Sequence, residues 1–406
     1  MNPKLAANDA VVVAYQRTPI GRARKGSLAA ERPEDLMLAA ARATLAQVPQ
    51  LDPRELSDFH LGCAVPEGMQ GDNLGRRVAV LAGMDFLPSV SVNRFCASSL
   101  QATAMAAHAI KAGDGDAYLV GGVESTTNQP PNSTHPYPGS EQLAARADGL
   151  FASGLPWRDP RDGGETPDVY IAMGKTAEFV ADLTGTTRAD QDEWALKSQQ
   201  AAARAIERGF FTGEIAPYTR ADGTVITVDD GPRPSTTLET LAALNPAFKR
   251  DGTVTAGNAS PLNDGASALV VMSAKRAREL EISPLARILG SAASALSPEI
   301  MGLGPVEASS RLLGRLGLTI DDIDLIELNE AFAAQVVPVV RKLGADAEKV
   351  NPQGGAIALG HPFGMTGARL VGTLSRSLLV NDKALGLATL CVGGGQGMAL
   401  VLERLA

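Results

Sequence analysis

Four side chains could share one reaction: Cys96 at a helix start, Asn329 after a strand, His361 in a glycine-rich loop and Cys391 before a run of glycines. A cysteine attacks a carbonyl carbon once a base takes or holds its proton, and His361 is a suitable base. Cys391 can shuttle a second proton, because an ordinary thiol pKa of about 8.5 lies within reach of neutrality. Acyl transfer also needs donors for the developing oxyanion. The backbone N–H groups of Val392, Gly393, Gly394 and Gly395 form a candidate concavity, and Asn329 offers another donor, directly or through water. Singly, each has a plainer use: a buried thiol, a helix cap, a tight turn. Together they gather at the carboxyl ends of strands, where α/β sheets collect ligands.

The elements that must position them follow from pattern. His361 lies in NPQGGAIALGHPFGMTGAR, where glycines 354, 355, 360, 364 and 367 and Pro362 let the backbone hold an imidazole in a narrow place. Ser89–Asn93 read as a strand leading to a turn at Arg94 and Phe95. Cys96 then opens an alanine-rich helix running to Ala112 and stopped by Gly113. A helix start carries partial positive charge, which stabilises a thiolate. Residues 117–120 form the next strand, ended by Gly121 and Gly122. The tail repeats the plan: Val350-Asn351, the histidine loop, a helix over 366–380, strand LGLATLC, then glycines. Two related α/β halves are expected.

Elsewhere, residues 10–15 read as a strand and 33–47 as a helix with Leu36, Ala40 and Leu45 inward. Cys63 reads as a small buried residue. Residues 128–168 are rich in Pro, Gly, Ser and Asp, as in a lid or substrate-binding insertion. Helices follow at 172–183 and 188–208, the second capped by Thr187 and ended by Gly209. A strand at 267–272, the strand DLIEL and a helix opened by NEAFAAQ complete the plan.

Composition excludes other classes. The 406 residues are 45% hydrophobic and carry a net charge of −8. That suits a folded α/β protein and not a disordered one. No long basic run invites nucleic acid, and no stretch of about 18 apolar residues spans a membrane. The N-terminus lacks an apolar signal core, the end ERLA is no peroxisomal address, and three scattered cysteines make no disulfide framework. A cytoplasmic location fits best.

The blocks NRFCASSLQA, MGKTAE, TAGNASPLNDGA, NEAFAAQ, GGAIALGHPFGMTGAR and CVGGGQG, in this order over about residues 10–406, resemble the thiolase family. The degradative 3-ketoacyl-CoA thiolases (acetyl-CoA acyltransferases) of bacteria are the most similar branch. The resemblance implies two similar five-layered α-β-α-β-α halves with an inserted loop domain. It places an N-terminal domain at 1–125 with 263–283, the loop domain at 126–262 and a C-terminal domain at 284–406. It implies that Cys96 is the acylated nucleophile, that His361 activates it and that Cys391 is the acid and base. Asn329 with His361 would hold one oxyanion, and the N–H groups of Cys96 and Gly393 the other. Ser260 would touch the pantetheine arm of CoA, Arg233 another part of CoA, and Met173 the acyl chain. No resident cofactor or metal is implied, only CoA, acetyl-CoA and 3-ketoacyl-CoA as substrates and products, in a homodimer or homotetramer.

Two departures stand out. Ala172 precedes the pocket methionine where acetoacetyl-CoA members often carry histidine, which leaves room for a longer or bulkier acyl group. Residues 121–127 read GGVESTT where many members have a methionine-serine pair. Competing readings are a biosynthetic acetoacetyl-CoA thiolase, a ketosynthase-type condensing enzyme, and a thiolase-like protein that binds acyl-CoA or lipid without catalysis. Cys391 before GGG opposes the condensing enzyme, and the intact quartet opposes the pure binder. A redox protein would want its cysteines close in sequence, and Cys96 and Cys391 are not.

Overall fold

The computed structural model describes residues 5–130 and 141–405. Within them runs one ten-stranded mixed sheet. Its continuous path is built from β1 (Ala10–Arg17), β2 (Asp58–Gly62), β3 (Ser89–Val92), β4 (Ala117–Ser125), β5 (Asn263–Ser273), β6 (Ala286–Ala295), β7 (Leu325–Leu328), β8 (Leu385–Val392) and β9 (Gln396–Arg404). The order is β7-β8-β9-β6-β1-β5-β4-β2-β3. The principal helices are α1 (Pro33–Leu45), α2 (Leu74–Leu81), α3 (Ser98–Ala112), α4 (Glu141–Ser153), α5 (Met173–Thr184), α6 (Arg188–Glu207), α7 (Gly304–Leu316), α8 (Ala333–Leu343) and α9 (Phe363–Val380).

Pairing reveals the duplication. In the first half β2 runs parallel to β3 and β4, while β4 pairs antiparallel with β5 and β5 with β1. In the second, β7 runs parallel to β8 and is bridged in parallel by Val350, while β8 pairs antiparallel with β9 and β9 with β6. The halves join where Val11 and Val12 of β1 face Arg287 and Ala286 of β6.

Strand alternation sorts side chains into layers. In the first half, Leu119 and Val123 of β4 with Val270 and Met272 of β5 pack on α1 and α2. Tyr118, Val120, Leu269 and Val271 point the other way, onto α3 and α9. The second half does the same: Ala388, Leu390, Met398 and Leu400 join that central layer, while Leu387, Ala399 and Val401 meet α7 and α8. Five layers result across both halves: helices, sheet, a shared central pair of helices, sheet, helices.

Local chemistry sets several boundaries differently from the sequence pattern. Gly121 and Gly122 do not end β4, which continues to Ser125 because its partner β5 stays in register through Asp264. Cys96 does not open α3. That helix begins at Ser98, because Asn93 Oδ1 accepts from the Phe95 amide and Phe95 is turned into the left-handed region (φ +43°). α9 begins at Phe363, right behind Pro362, a residue suited to helix entry. Thr187 caps α6 as expected, in a capping box with Asp190. Cys63 is buried. Of the excursion at 128–168, residues 131–140 lie outside the described residues, and α4 occupies much of the remainder.

Candidate active site

α3 and α9 lie side by side in the central layer, each preceded by one of the reactive residues. A Cβ on Gly367 would stand 2.1 Å from the Leu100 amide nitrogen, so only glycine admits this approach. The Ala368 amide donates to Ser99 Oγ (2.9 Å). The starts of the two helices are thereby locked together, with Cys96 and His361 just ahead of them.

Cys96 is half-buried on its turn. Burial pushes its thiol up to about 12, against the pull of the Gly393 and Cys96 backbone N–H groups that face the sulfur, and with a further push from Glu124. The helix start alone therefore does not leave a thiolate here. Burial outweighs it, and the thiol is neutral at rest. Gly394 (φ +73°) and Gly395 (φ +80°) bend the chain after β8 so that the Gly393 amide meets the sulfur. The Phe95 ring lies over this turn, about van der Waals distance from where a Gly393 Cβ would sit (3.5 Å).

His361 is fully enclosed and its protonation follows from its partners. Thr366 Oγ1 donates its only proton to the Pro362 carbonyl (2.8 Å), so at 2.6 Å it accepts from His361 Nδ1–H. Nε2 then carries the lone pair and accepts from Asn329 Nδ2 (3.2 Å). The His361 amide donates to Asn263 Oδ1 (2.9 Å), and its ring stands edge-on to Phe363. Burial, reinforced by Arg369, drives the imidazole down to about 3. A neutral base is the result.

Asn329 follows β7 directly and is buried, its side-chain carbonyl without a protein partner. Its neighbour Glu330 is a clamp. The carboxylate accepts from Trp194 Nε1 (3.0 Å) and Ser198 Oγ (2.6 Å) on α6, and from Asn351 Nδ2 (2.8 Å) and the Ile357 amide (3.1 Å) on the histidine loop. Glu124 does similar service on the other side. It accepts from the Ala64 amide, Gln70, Gln129 and the Gly364 amide. Neither clamp could be found by spacing, since their partners are distant in sequence.

Cys391 sits within β8, opposite Gly397 of β9, and is fully buried. Burial raises its thiol strongly, and a charge on Cys96 would raise it further, so the two sulfurs belong to one site. Around Cys391 pack Ala177, Met301, Phe332 and Ala334, with Met173 against them at the start of α5. Ala172, just before it, is exposed. Ser260 is held to the Ala331 carbonyl by its amide (3.0 Å) and hydroxyl (3.1 Å), beside the loop that carries Asn329. Arg233 lines a separate recess of about 260 Å³ with Gln199, Thr240, Leu244 and Gly257. The structure thus gathers Cys96, Asn329, His361, Cys391 and Gly393, keeps Met173 and Ser260 at their margin, and leaves Arg233 further out. Among the described residues no cluster of metal-ligating side chains occurs, and no helix is long and apolar enough to cross a membrane.

An acyl-transfer site at the shared core of a duplicated α/β fold defines a class, and comparison with known proteins names it. Residues 10–275 match the thiolase N-terminal domain and 282–404 the thiolase C-terminal domain. The chain belongs to the thiolase family. It is 41% identical to a 3-ketoacyl-CoA thiolase of Bacillus subtilis (97% of this chain, 99% of the relative). It is 45% identical to a β-ketoadipyl-CoA thiolase of Pseudomonas aeruginosa (96% and 97%). The dimeric peroxisomal thiolase of Saccharomyces cerevisiae superimposes with a TM-score of 0.88 at 35% identity, covering 99% of each chain. The protein is accordingly an acyltransferase with CoA as a substrate.

Proposed function

We propose that this chain is a 3-ketoacyl-CoA thiolase of the degradative kind. It would cleave 3-ketoacyl-CoA with CoA into acetyl-CoA and a shortened acyl-CoA. The observation that carries the reading is the meeting of the Cys96 sulfur with the Gly393 and Cys96 amides, beside a neutral His361 whose Nε2 lone pair is held on Asn329. As Cys96 Sγ attacks the 3-keto carbon, its proton passes to His361 Nε2. The two amides receive the negative charge on the former carbonyl oxygen. The bond between the α and β carbons breaks, and the leaving carbanion delocalises onto its thioester oxygen, held by His361 and Asn329. Cys391 gives this carbanion a proton. Incoming CoA returns a proton to Cys391 and its sulfur takes the acyl group, while Cys96 leaves as a thiolate and recovers its proton from His361 Nε2.

Met173 lies against the cluster around Cys391, which favours the acyl chain on that side, and the small Ala172 leaves space for a long or bulky chain. Ser260, beside the Asn329 loop, would meet the pantetheine arm. Arg233 and its recess would take the nucleotide end of CoA. The chain leaves the sheet after Ser125 and returns at Asn263, in keeping with a loop domain over 126–262 between 1–125 with 263–283 and 284–406. A homodimer is favoured by the dimeric yeast relative and by the edge strand β3, next to exposed Val80, Leu81, Phe86 and Phe95. A tetramer would be two such dimers. The cytoplasm is the proposed location.

The test is thiolysis of a panel running from acetoacetyl-CoA through β-ketoadipyl-CoA to long-chain and bulky 3-ketoacyl-CoA. Rates that rise with acyl size support the reading. Activity confined to acetoacetyl-CoA would make it the biosynthetic kind, and no cleavage by folded protein would favour a non-catalytic binder. Cys96→Ala should abolish the acyl-enzyme seen by mass spectrometry, whereas Cys391→Ala should still acylate Cys96 slowly from a simple acyl-CoA.

A further inference from the structure

A third buried carboxylate gathers distant groups as Glu124 and Glu330 do. Glu299, in the turn over Pro298–Leu303, is fully buried. It accepts from Trp157 Nε1 (2.9 Å) and the Asp168 amide (2.8 Å), and it pairs with Arg146 of α4. All three donors lie on α4 or between α4 and α5, so one carboxylate draws that stretch of chain against the turn. The residues after Glu299 divide between two apolar clusters. Ile300 packs with Leu150, Trp157 and Phe151, whose ring stands edge-on to Phe179 of α5 (5.6 Å), whereas Met301 packs with Cys391. The chain entering α5 divides the same way. Ile171 joins the α4 cluster, Ala172 is exposed, and Met173 lies against the Cys391 cluster.

The α4 cluster is thus the next apolar surface beyond Met173 and Met301. It is also unfinished. Leu150, Phe151, Trp157 and Ile300 are only partly buried, and the same stretch of chain exposes Leu155 (61%), Val169 (47%) and Tyr170 (39%). Large apolar side chains left open together mark a surface that a ligand completes. The indole is the largest of those in the cluster. Its one polar atom is bonded to Glu299, which fixes the ring and leaves its faces for apolar contact. The cations that touch the cluster are already paired: Arg146 with Glu299, Lys175 with Asp148 and Lys249 with Asp182. That suits an uncharged aliphatic chain better than one ending in a carboxylate.

We propose that the α4 cluster is a subsite for the distal, aliphatic part of the acyl group, that Trp157 is its specificity-determining residue, and that Glu299 positions the indole. This rests on the reading of the chain as a 3-ketoacyl-CoA thiolase with its acyl group at Met173. On this assignment acetoacetyl-CoA leaves the cluster empty. Each methylene of a longer chain laid on it is worth about fourfold in binding.

Thiolysis of 3-ketododecanoyl-CoA and of acetoacetyl-CoA by the full chain tests this, the readout being the ratio of their kcat/KM values. In the wild type the ratio should favour the long chain. Trp157→Ala should lower it about tenfold or more, chiefly through KM for the long substrate. Trp157→Phe keeps an apolar ring and should recover most of the loss. Glu299→Gln releases the indole and should lower the ratio as well. A merely structural role for either residue would slow both substrates alike, so a folded Trp157→Ala with the wild-type ratio overturns the proposal. A wild type that cleaves both substrates without favouring the long one overturns it too, yet leaves the thiolase reading intact. A wild type that cleaves neither sinks that reading itself. Should Trp157→Ala not fold, lauroyl-CoA added to Cys96→Ala, which cannot be acylated there, decides. Trp194 is already buried, so a blue shift of tryptophan emission with lauroyl-CoA and not with acetyl-CoA supports the proposal, and equal spectra overturn it.

Discussion

Val92-Asn93 and Val350-Asn351 hold equivalent places in the two halves, each where a parallel partner of the inner strand gives way to the loop before a central helix. The loops then diverge. Asn93 is exposed and makes one local bond, its Oδ1 accepting from the Phe95 amide (2.7 Å). Asn351 is buried, itself in the left-handed region (φ +50°). It accepts from the Leu328 amide (2.9 Å) and donates to the Leu328 carbonyl (2.8 Å) and to Glu330 (2.8 Å). The nucleophile's loop is short and open, and its asparagine is tied only to the loop itself, the distant tie coming from Arg94 to Gln396 (2.7 Å). The base's loop is dry and tied to β7 and, through Glu330, to α6. A nucleophile must be reached by substrate, whereas a base kept neutral by burial must be kept from water. One backbone plan serves both by changing how many distant groups its asparagine holds.

The largest break in this contrast should come from Asn351→Ala. It strands the Leu328 amide and carbonyl in the interior and takes a donor from Glu330, at roughly 1–3 kcal/mol for each buried group left unpaired. Alanine also tolerates the left-handed region less well than asparagine, adding about 1 kcal/mol. Urea unfolding should show a loss of about 3 kcal/mol or more, and kcat should fall with it because Asn329 and His361 lose their frame. A loss under about 1 kcal/mol would mean that the histidine loop is held by its glycines alone.

The same contrast explains what could be read from the sequence. His361 and Cys391 were legible because reactive side chains beside glycines are rare and local, and Cys96 because it stands between an apolar strand and an alanine-rich helix. The strands and helices of both halves were legible because their apolar rhythm is local too. The end of β4 was misjudged at Gly121-Gly122, where pairing to β5, distant in sequence, overrides the glycines. The expectation that a helix start would make Cys96 a thiolate weighed a local dipole and missed the burial supplied by the fold. Glu124, Glu299 and Glu330 were invisible as a set. Each is an ordinary charged residue until long-range packing removes the water around it.

A smaller effect sharpens the dry side of the comparison. The folded imidazole of His361 lies near 3, below its ordinary 6.5. Between these values the unfolded chain binds a proton that the folded one does not. This group's contribution to stability is therefore intact above about pH 6.5 and drains away as pH falls toward 3, by at most about 1.4 kcal/mol per pH unit. His361→Asn removes the titration. Its unfolding free energy should fall less steeply with acid than the wild type's, by close to one proton over about pH 4 to 6. Equal slopes would mean that the native imidazole is not buried and neutral.

The smallest expected effect belongs to Asn93→Ala on the open side. Its side chain makes one bond at an exposed turn, so its loss should cost about 1 kcal/mol or less. Its reach into function is longer. That bond sets Phe95 at φ +43°, and Phe95 lies over the turn whose Gly393 amide meets the Cys96 sulfur. A slackened turn keeps the fold yet lets the sulfur drift from its donors, so kcat should fall several-fold with KM little changed. Asn351→Ala should instead lose stability and kcat together. Should Asn93→Ala lose stability as heavily as Asn351→Ala, the open loop would be as deeply framed as the dry one, and the division of labour between the two halves would be gone.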